Sequence, residues 1–437
     1  MSKPMVAIIG RQNVGKSTLL NRLVGKPLAI VEDLPGTTRD RIFANISWQG
    51  VEFTVVDTGG LELKPQSNLA QAVREQAEIA ISEADVLLFL VDVKDGVTPI
   101  DLEIADMLRQ VGKPIVLVAN KADNTRLESQ AVEFYELVLG EPVAISAHHN
   151  RGITELLNRM VPLLPPPSPA KVEPEAMKVA IVGRPNVGKS TLLNALLGQP
   201  RAIINEAPGT TRDAIDTILD FNGESVLLID VGGIRRPGRI AAGIERYSVI
   251  RALRAIDRAD VSLLVLDATE LVTTQDKHIA GYIRQAGKGI VFVVNKWDLV
   301  ADKSTPEYDK HIRSQLKFMP YAPVSYISAK YGQGVNKIIP QARHIYQERL
   351  KRLSTAEVNS VVQQAIADHN LPRVGAKRLK VFSATQAEVN PPTFVFLVND
   401  ARLIHFSYQR YLENKLRHSF GFSGTPLRLV FKTRGEQ

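Results

Sequence analysis

One block of sequence occurs twice in this 437-residue chain, and that repeat constrains its fold more than any other feature. GRQNVGKSTLLNRLVGKPLAI at 10–30 returns as GRPNVGKSTLLNALLGQPRAI at 183–203, an offset of 173. PGTTRD at 35–40 returns at 208–213, and DTGG at 57–60 returns as DVGG at 230–233, both at the same offset. NKAD at 120–123 matches NKWD at 295–298, now offset by 175, and SAH at 146–148 matches SAK at 328–330, offset by 182. Self-similarity at a fixed period marks a duplicated structural unit. Spacing that is rigid early and drifts later fits small insertions in surface loops. Between the copies lies LPPPSPAKVEPEA, 164–176, a proline-rich stretch with the composition of a semi-rigid linker.

Each copy alternates strand and helix patterns. In the first, MVAIIG is a short apolar strand, and KSTLLNRLVG places Leu19, Leu20, Leu23 and Val24 at helical spacing. RIFANISW and VEFTVVD flank Gln49-Gly50, a hairpin signal. VLLFLVD and PIVLVAN have the unbroken apolar character of strands buried on both faces. The expected fold is α/β: a mostly parallel sheet wrapped by helices, built twice, over 1–163 and 177–352. Residues 353–437 read differently, as helix, strand, strand, helix, strand. Val358, Val361, Val362, Ala365 and Ile366 share a face of the first helix, and Asn390-Pro391-Pro392 separates the first two strands. This is a small third α/β domain.

With no cysteine, disulfides, thiol catalysis and cysteine-bound metal are excluded. No apolar run approaches the ~20 residues of a membrane helix, and the first residues carry no secretory pattern; the expected location is cytoplasmic. Net charge is +8 but unevenly placed: −5 over 1–164, +8 over 165–352 and +5 over 353–437. Such asymmetry suits a polyanion, nucleic acid or an anionic membrane, and it equally suits a merely soluble basic surface.

The repeated motifs carry a specific chemistry. Gly10-Arg11-Gln12-Asn13-Val14-Gly15-Lys16-Ser17 and Gly183-Arg184-Pro185-Asn186-Val187-Gly188-Lys189-Ser190 fit the phosphate-binding loop, each between a strand and a helix. Glycines let backbone N–H groups converge on phosphate oxygens, and the helix N-terminus adds positive potential. Lys16 and Lys189 are placed to reach the β/γ-phosphates, and Ser17 and Ser190 to bind Mg²⁺. Asp57 and Asp230 end strands, where each meets the Mg²⁺ shell or, alternatively, caps a helix. In Asp57-Thr58-Gly59-Gly60 and Asp230-Val231-Gly232-Gly233 the last glycine can offer its N–H to the γ-phosphate. One threonine of Thr37/Thr38 and one of Thr210/Thr211 is a candidate Mg²⁺ ligand. Asn120-Lys121-Ala122-Asp123 and Asn295-Lys296-Trp297-Asp298 follow apolar strands. A carboxylate fixed there accepts two hydrogen bonds from guanine N1–H and the 2-amino group. Adenine offers neither, so the carboxylate would be left unpaired. Ser146-Ala147 and Ser328-Ala329 sit where a backbone amide can meet guanine O6. The chain thus reads as two GTP/GDP sites with Mg²⁺.

These elements, in this order, with the duplication, the NVGKSTLLN and PGTTRD blocks, the linker and a short basic C-terminal domain, resemble the Der (EngA) family of bacterial double-domain Era-like GTPases. The resemblance covers the whole chain. It implies a KH-like C-terminal domain, GTP hydrolysis and work in ribosome assembly on the large ribosomal subunit and its RNA. DNA, a stable membrane anchor and a stable oligomer are not expected. Better-known GTPases often carry a glutamine just after the third motif to orient water; here Leu61 and Ile234 stand there. Asn13 and Asn186 resemble the P-loop asparagine by which related GTPases hold a potassium ion, which implies K⁺-stimulated hydrolysis, unless these asparagines only shape the loop. A monovalent cation there would offset charge developing near the β/γ bridge.

Other features keep two readings each. Arg235, Arg236, Arg239, Arg246, Arg251, Arg254 and Arg258 enrich the second copy's switch region: a phosphate- or domain-binding surface, or a solvated helix face with Glu245 and Asp257 as partners. Gly421-Phe422-Ser423-Gly424 fits the G-x-x-G clamp of KH modules. It lies between a helix and the last strand rather than between two helices, and reads as a helix stop and turn. RNA contact by the last domain would then rest on Lys377, Arg378, Lys380, Arg410, Lys415 and Arg417. The leading expectation is a nucleotide-dependent switch acting on pre-ribosomal particles. The alternatives are an RNA-binding module with one merely GTP-sensing site, and a membrane-surface GTPase.

Overall fold

The computed structural model describes residues 3–24, 43–57, 84–166, 176–198, 202–206, 216–221, 225–229, 248–270, 272–301, 304–369, 373–374 and 377–434. They fall into two compact units, one holding the first sheet and the other holding the second sheet with the C-terminal domain.

The first unit is a six-stranded sheet, β1 (Met5–Ile9), β2 (Phe43–Trp48), β3 (Val51–Asp57), β4 (Val86–Asp92), β5 (Ile115–Asn120) and β6 (Val143–Ala144), in the order β2-β3-β1-β4-β5-β6. Every pairing is parallel except β2 with β3. Those two strands form the expected hairpin: Gln49 at φ 49° and Gly50 at φ 81° supply the left-handed turn that suits sheet twist. β1 and β4 are buried along their whole length, because helices cover both faces. Leu19, Leu20 and Leu23 of helix Lys16–Val24 join Leu156, Leu157 and Met160 of helix Ile153–Met160 on one face. Ile104, Ala105 and Leu108 of helix Pro99–Arg109 pack on the other with Phe134 and Leu137. Chain order reverses direction across β1, so the loop after β1 opens at the switch point where doubly wound sheets bind ligands.

The second unit repeats this design. Its strands are β7 (Met177–Val182), β8 (Ala202–Glu206), β9 (Thr217–Phe221), β10 (Ser225–Ile229), β11 (Val261–Asp267), β12 (Gly289–Asn295) and β13 (Val324–Tyr326). The order is β13-β12-β11-β7-β10-β9-β8, the same as in the first sheet with one further edge strand.

The C-terminal domain follows helix Ile338–Leu350 directly. Helix Thr355–Asp368 starts at a capping box in which Ser354 and Glu357 satisfy each other's backbone N–H. A two-residue pairing, β14 (Arg373–Val374) with β15 (Lys377–Arg378), precedes β16 (Val381–Val389) and β17 (Pro392–Val398). Helix Phe406–Phe420 and β18 (Arg428–Thr433) complete it, with β18 parallel to β17. Val358, Val362 and Ala365 pack on Phe394, Phe396 and Leu412, so the expected helix face holds, and the expected element order gains only the short β14–β15 pairing.

The Gly421–Gly424 turn has a task within this unit. Gly424 N donates to Tyr321 O at 2.9 Å, and Ile290 N donates to Gly424 O at 2.8 Å. Phe422 is fully buried, and its N–H donates to Glu348 Oε2 at 2.5 Å. The turn therefore seats the last domain on β12 of the second sheet. Arg349 lies in the same joint with 1% of its surface exposed. Its Nη1 donates to Gly287 O at 2.9 Å and Thr425 Oγ1 at 3.1 Å, and its Nη2 to Asn390 Oδ1. Arg417, counted above among RNA-contacting candidates, belongs here as well: it bonds Glu413 and Phe422 O and stacks 4.2 Å from the Tyr321 ring. It is withdrawn from that set. Lys415 is paired with Asp368 at 2.7 Å.

Among the described residues no helix is long and apolar enough to cross a membrane.

Candidate functional site: two matched phosphate loops and base pockets

The loop after β1 carries residues 10–17 into helix Lys16–Val24. Lys16 folds back over it: Nζ donates to Gly10 O at 2.8 Å and to Arg11 O at 2.7 Å. Burial pushes this ammonium below the ordinary lysine value, opposed by the nearby Asp57. Asp57, fully buried at the end of β3, accepts from Ser17 Oγ at 2.5 Å. Two hard oxygen donors thus converge beside the loop, the donor type Mg²⁺ takes. In the second copy Lys189 Nζ donates to Arg184 O at 2.7 Å. Val14 and Val187 are buried beneath the two loops. Gln12 and Asn13 are exposed in the first loop, and Asn186 in the second. Asn13 and Asn186 both sit at φ 64°. Asparagine tolerates that left-handed backbone, which is one sufficient reason for its presence; both side chains remain open to solvent.

The NKxD and Ser-Ala segments meet the loops through their asparagines. Asn120 Nδ2 donates to Val14 O at 2.7 Å, and its Oδ1 accepts from Ala147 N at 3.1 Å. Asn295 does the same to Val187 O and Ala329 N, both at 2.9 Å. Gly15 and Gly188 make room for this. At φ 97° and 93°, a Cβ there would stand 2.4 and 2.2 Å from the asparagine Nδ2. Ser146 Oγ donates to Asp123 Oδ1 at 2.7 Å, and Ser328 Oγ to Asp298 Oδ1 at 2.5 Å. Lys121 and Lys296, in left-handed backbone at φ 67° and 62°, pair with the buried Asp92 and Asp267 at the ends of β4 and β11. Burial raises Asp267, but Lys296 and Thr269 outweigh it, and the net shift is downward.

The two sites are not identical. Lys94 Nζ lies 2.7 Å from Asp123 Oδ2. That hydrogen bond first, and the Ser146 hydroxyl second, hold Asp123 below the usual carboxylate range. The second site has Thr269 at that place, and it bonds Asp267 Oδ1 instead, by its N–H at 2.9 Å and Oγ1 at 2.7 Å. Where the first motif has Ala122, the second has Trp297, with ring centroids 4.8 Å from Tyr308 and 4.5 Å from Tyr326.

Of the sequence-derived set, both P-loops, Asp57, both NKxD motifs and both Ser-Ala pairs converge within their own units. Thr37, Thr38, Thr58, Gly59, Gly60, Thr210, Thr211, Asp230, Val231, Gly232 and Gly233 lie outside the described residues, as do Leu61, Ile234, Arg235, Arg236, Arg239 and Arg246. Arg258 pairs with Asp216. Sequence reasoning passed over Asp92, Lys94 and Asp267. The only signal for them was their place at or just after the end of a fully apolar strand.

A P-loop at the switch point of a doubly wound sheet, beside an NKxD aspartate backed by a serine, defines a GTPase, and here the arrangement is built twice. The model of the 50S ribosome-binding GTPase family matches residues 5–121 and 178–296, and the model of the KH-domain-like C-terminal domain of EngA bacterial GTPases matches 352–432. The chain is 51% identical over 440 residues to GTPase Der of Desulfitobacterium hafniense, covering 100% of both. It is 51% identical over 439 residues to GTPase Der of Moorella thermoacetica, again covering 100% of both. Against GTPase Der of Chloroflexus aggregans it is 49% identical over 445 residues, covering 99% of each. It therefore belongs to the GTPase Der family. Among solved structures, Era in complex with MgGDPNP and a 16S ribosomal RNA fragment is 24% identical, covering 59% of this chain and 92% of that one, with a TM-score of 0.30. That superposition adds nothing to the assignment.

Proposed function

We propose that each G domain binds GTP and GDP in its own P-loop and base pocket, and that this GTPase is a switch acting on pre-ribosomal particles of the large subunit. The observation that carries the base reading is the serine-backed aspartate, Asp123–Ser146 and Asp298–Ser328, joined to its P-loop through Asn120 or Asn295. Ser146 and Ser328 donate to the carboxylates and so fix oxygens that can accept from guanine N1–H and the 2-amino group. Leaving them unpaired against adenine costs affinity.

At the phosphate end, Lys16 and Lys189 bind the β/γ oxygens, and backbone N–H groups of the loops cradle them. Ser17 with Asp57, and Ser190 with Asp230, would hold Mg²⁺, with one threonine from each of the pairs Thr37/Thr38 and Thr210/Thr211. The metal would supply positive charge between the β- and γ-phosphates. With Leu61 and Ile234 in place of a water-orienting glutamine, K⁺ beside the exposed Asn13 and Asn186 would supply the missing electrostatics. Equal turnover in K⁺ and Na⁺ at matched ionic strength would remove the cation from this reading.

The positive net charge of the last two thirds of the chain supports a polyanionic partner, and the family name, 50S ribosome-binding GTPase, directs that partner toward the large subunit. A cytoplasmic location is part of the same reading. The test is co-sedimentation with purified ribosomal subunits in apo, GDP and GTP-analogue states, with Lys16→Ala and Lys189→Ala compared. Binding that tracks the nucleotide, and is lost from one or other lysine variant, supports the switch. Identical binding in all states sinks it, and flotation with anionic vesicles would favour a membrane surface instead.

A further inference from the structure

Arg11 and Arg184 entered as P-loop members, yet their side chains make contacts that the phosphate loop alone does not require. Arg11 Nη2 lies 2.5 Å from Asp95 Oδ2, and its Nε lies 3.6 Å from Asp101 Oδ2. Arg184 Nη1 lies 2.5 Å from Glu270 Oε2, and its Nε lies 3.5 Å from Asp276 Oδ2. The two clamps have one design: a P-loop guanidinium between an exposed carboxylate on the loop after β4 or β11 and a fully buried carboxylate at the start of the next helix.

Asp101 and Asp276 occupy the third helical position of capping boxes begun by Thr98 and Thr273. Each accepts from the threonine N–H and hydroxyl through Oδ2, at 3.1 and 2.7 Å in the first unit and 3.0 and 2.8 Å in the second. Among the described residues Oδ1 of each has no hydrogen-bond partner, nor has Nε of either arginine. Both carboxylates are 0% exposed. Capping boxes are commonly completed by a glutamate or glutamine on the helix surface. A fully buried carboxylate is an expensive way to complete one, because its charge must be desolvated. Accordingly burial pushes both carboxyls above the ordinary range, against the pull of the threonine bonds and the arginine. The cap does not explain that cost, whereas a buried charge near an arginine of the P-loop does.

The guanidinium leads straight to the phosphate-binding lysine. The carbonyl of Arg11 accepts from Lys16 Nζ, and the carbonyl of Arg184 accepts from Lys189 Nζ, both at 2.7 Å. We propose that Asp101 and Asp276 are positioning residues for hydrolysis: each holds its P-loop arginine from below, and so sets the carbonyl that aims the P-loop lysine. The proposal rests on the reading of Lys16 and Lys189 as phosphate-binding groups. Its recurrence at equivalent positions, Arg11 and Arg184 173 residues apart and Asp101 and Asp276 175 apart, makes a chance contact a poor account.

The test isolates one site at a time. In the full chain carrying Lys189→Ala, Asp101→Asn keeps an acceptor for Thr98, removes the charge and puts an amide NH2 where the unpartnered Oδ1 stood. The expected result is kcat for GTP lowered about tenfold, since small misplacement of a catalytic group is costly, with KM within about twofold. Tm should stay close to the parent's: one costly buried charge is removed, while Arg11 keeps Asp95 as its partner. Asp276→Asn in the Lys16→Ala background should do the same for the second site. Thr98→Ala, which loses the cap but keeps the charge, should lower Tm and leave kcat within about twofold. An unchanged kcat in Asp101→Asn and Asp276→Asn overturns the proposal, as does a Thr98→Ala loss of kcat equal to that of Asp101→Asn. If the Lys16→Ala, Lys189→Ala double variant still turns over GTP, the phosphate reading of the lysines has failed and the proposal falls with it.

Discussion

Asn120 holds Val14: its side-chain amide donates 2.7 Å to the Val14 carbonyl in the middle of the P-loop. With its Oδ1 taken by Ala147 N, the side chain is used to tie the phosphate loop to the base pocket and is not left free to read the base. Asn120→Ala should therefore weaken GTP and GDP at the first site alike. Two buried partners lose their bonds, at about 1–3 kcal/mol each, an affinity loss of roughly thirtyfold at the lower bound. The GTP-over-XTP ratio should not move. Calorimetric titration with both nucleotides checks this; an altered ratio would give Asn120 a direct contact with the base.

Asp123 and Asp298 are expected to behave in the opposite way. An amide presents one acceptor and one donor where the carboxylate presents two acceptors. Asp123→Asn or Asp298→Asn should shift that site from guanine toward xanthine nucleotides, with the P-loop bonds of Asn120 and Asn295 undisturbed. Competition of XTP and GTP for a fluorescent nucleotide measures the shift. Full retention of GTP affinity would mean that the serine-backed carboxylate does not read the base.

These two asparagine and aspartate roles mark the limit of what the residues declared in advance. The repeat, the mostly parallel sheet of each copy and the motif positions were legible because apolar period and glycine spacing are local properties of sequence. The hairpin at Gln49-Gly50 was legible for the same reason, and so was the Gly421–Gly424 turn as a helix stop. Its docking on Tyr321 and Ile290 was not, since those partners lie about 100 and 130 residues away. Nothing in the sequence marks Asp101; burial and the neighbouring Arg11 single it out. Nothing in the sequence marks Arg349 either, and its immersion between domains depends entirely on tertiary packing.

Lys94 distinguishes the sites by pH. Its bond to Asp123 is the largest cause holding that carboxyl below its ordinary value of 3.8. A depressed carboxylate contributes stability and binding above the unfolded value and loses them as pH falls through the folded one. Lys94→Thr, which copies the second site, should therefore move the acid edge of first-site nucleotide binding upward, toward the ordinary aspartate range. Nucleotide retention measured from about pH 6 downward reports the edge. Lys94 is exposed and Asp123 half-buried, so raising salt to about 0.5 M should shrink the difference between variant and parent. Superimposable edges at low salt would show that Lys94 does not hold Asp123 in solution.

Lys288 gives the joint between the second G domain and the C-terminal domain its own pH signature. Its Nζ donates to Asp257 O at 2.8 Å, beside the buried Arg349. Burial first, and Arg349 second, lower it from 10.5 to about 8. Between those values the unfolded chain binds a proton that the folded chain does not, so stability rises with pH. The contribution is fully present above 10.5 and is lost as pH falls through about 8. Two and a half pH units correspond to roughly 3 kcal/mol over the window. Thermal unfolding of the parent and of Lys288→Met, followed from about pH 7 to 10, isolates this group, because the other groups that titrate there, Arg349 at about 10 among them, are common to both chains. The parent's Tm should climb relative to the variant's as pH rises, with the steepest change above pH 8. Parallel curves would mean that Lys288 keeps its ordinary proton affinity in the folded joint, and that the packing around Arg349 admits water to it.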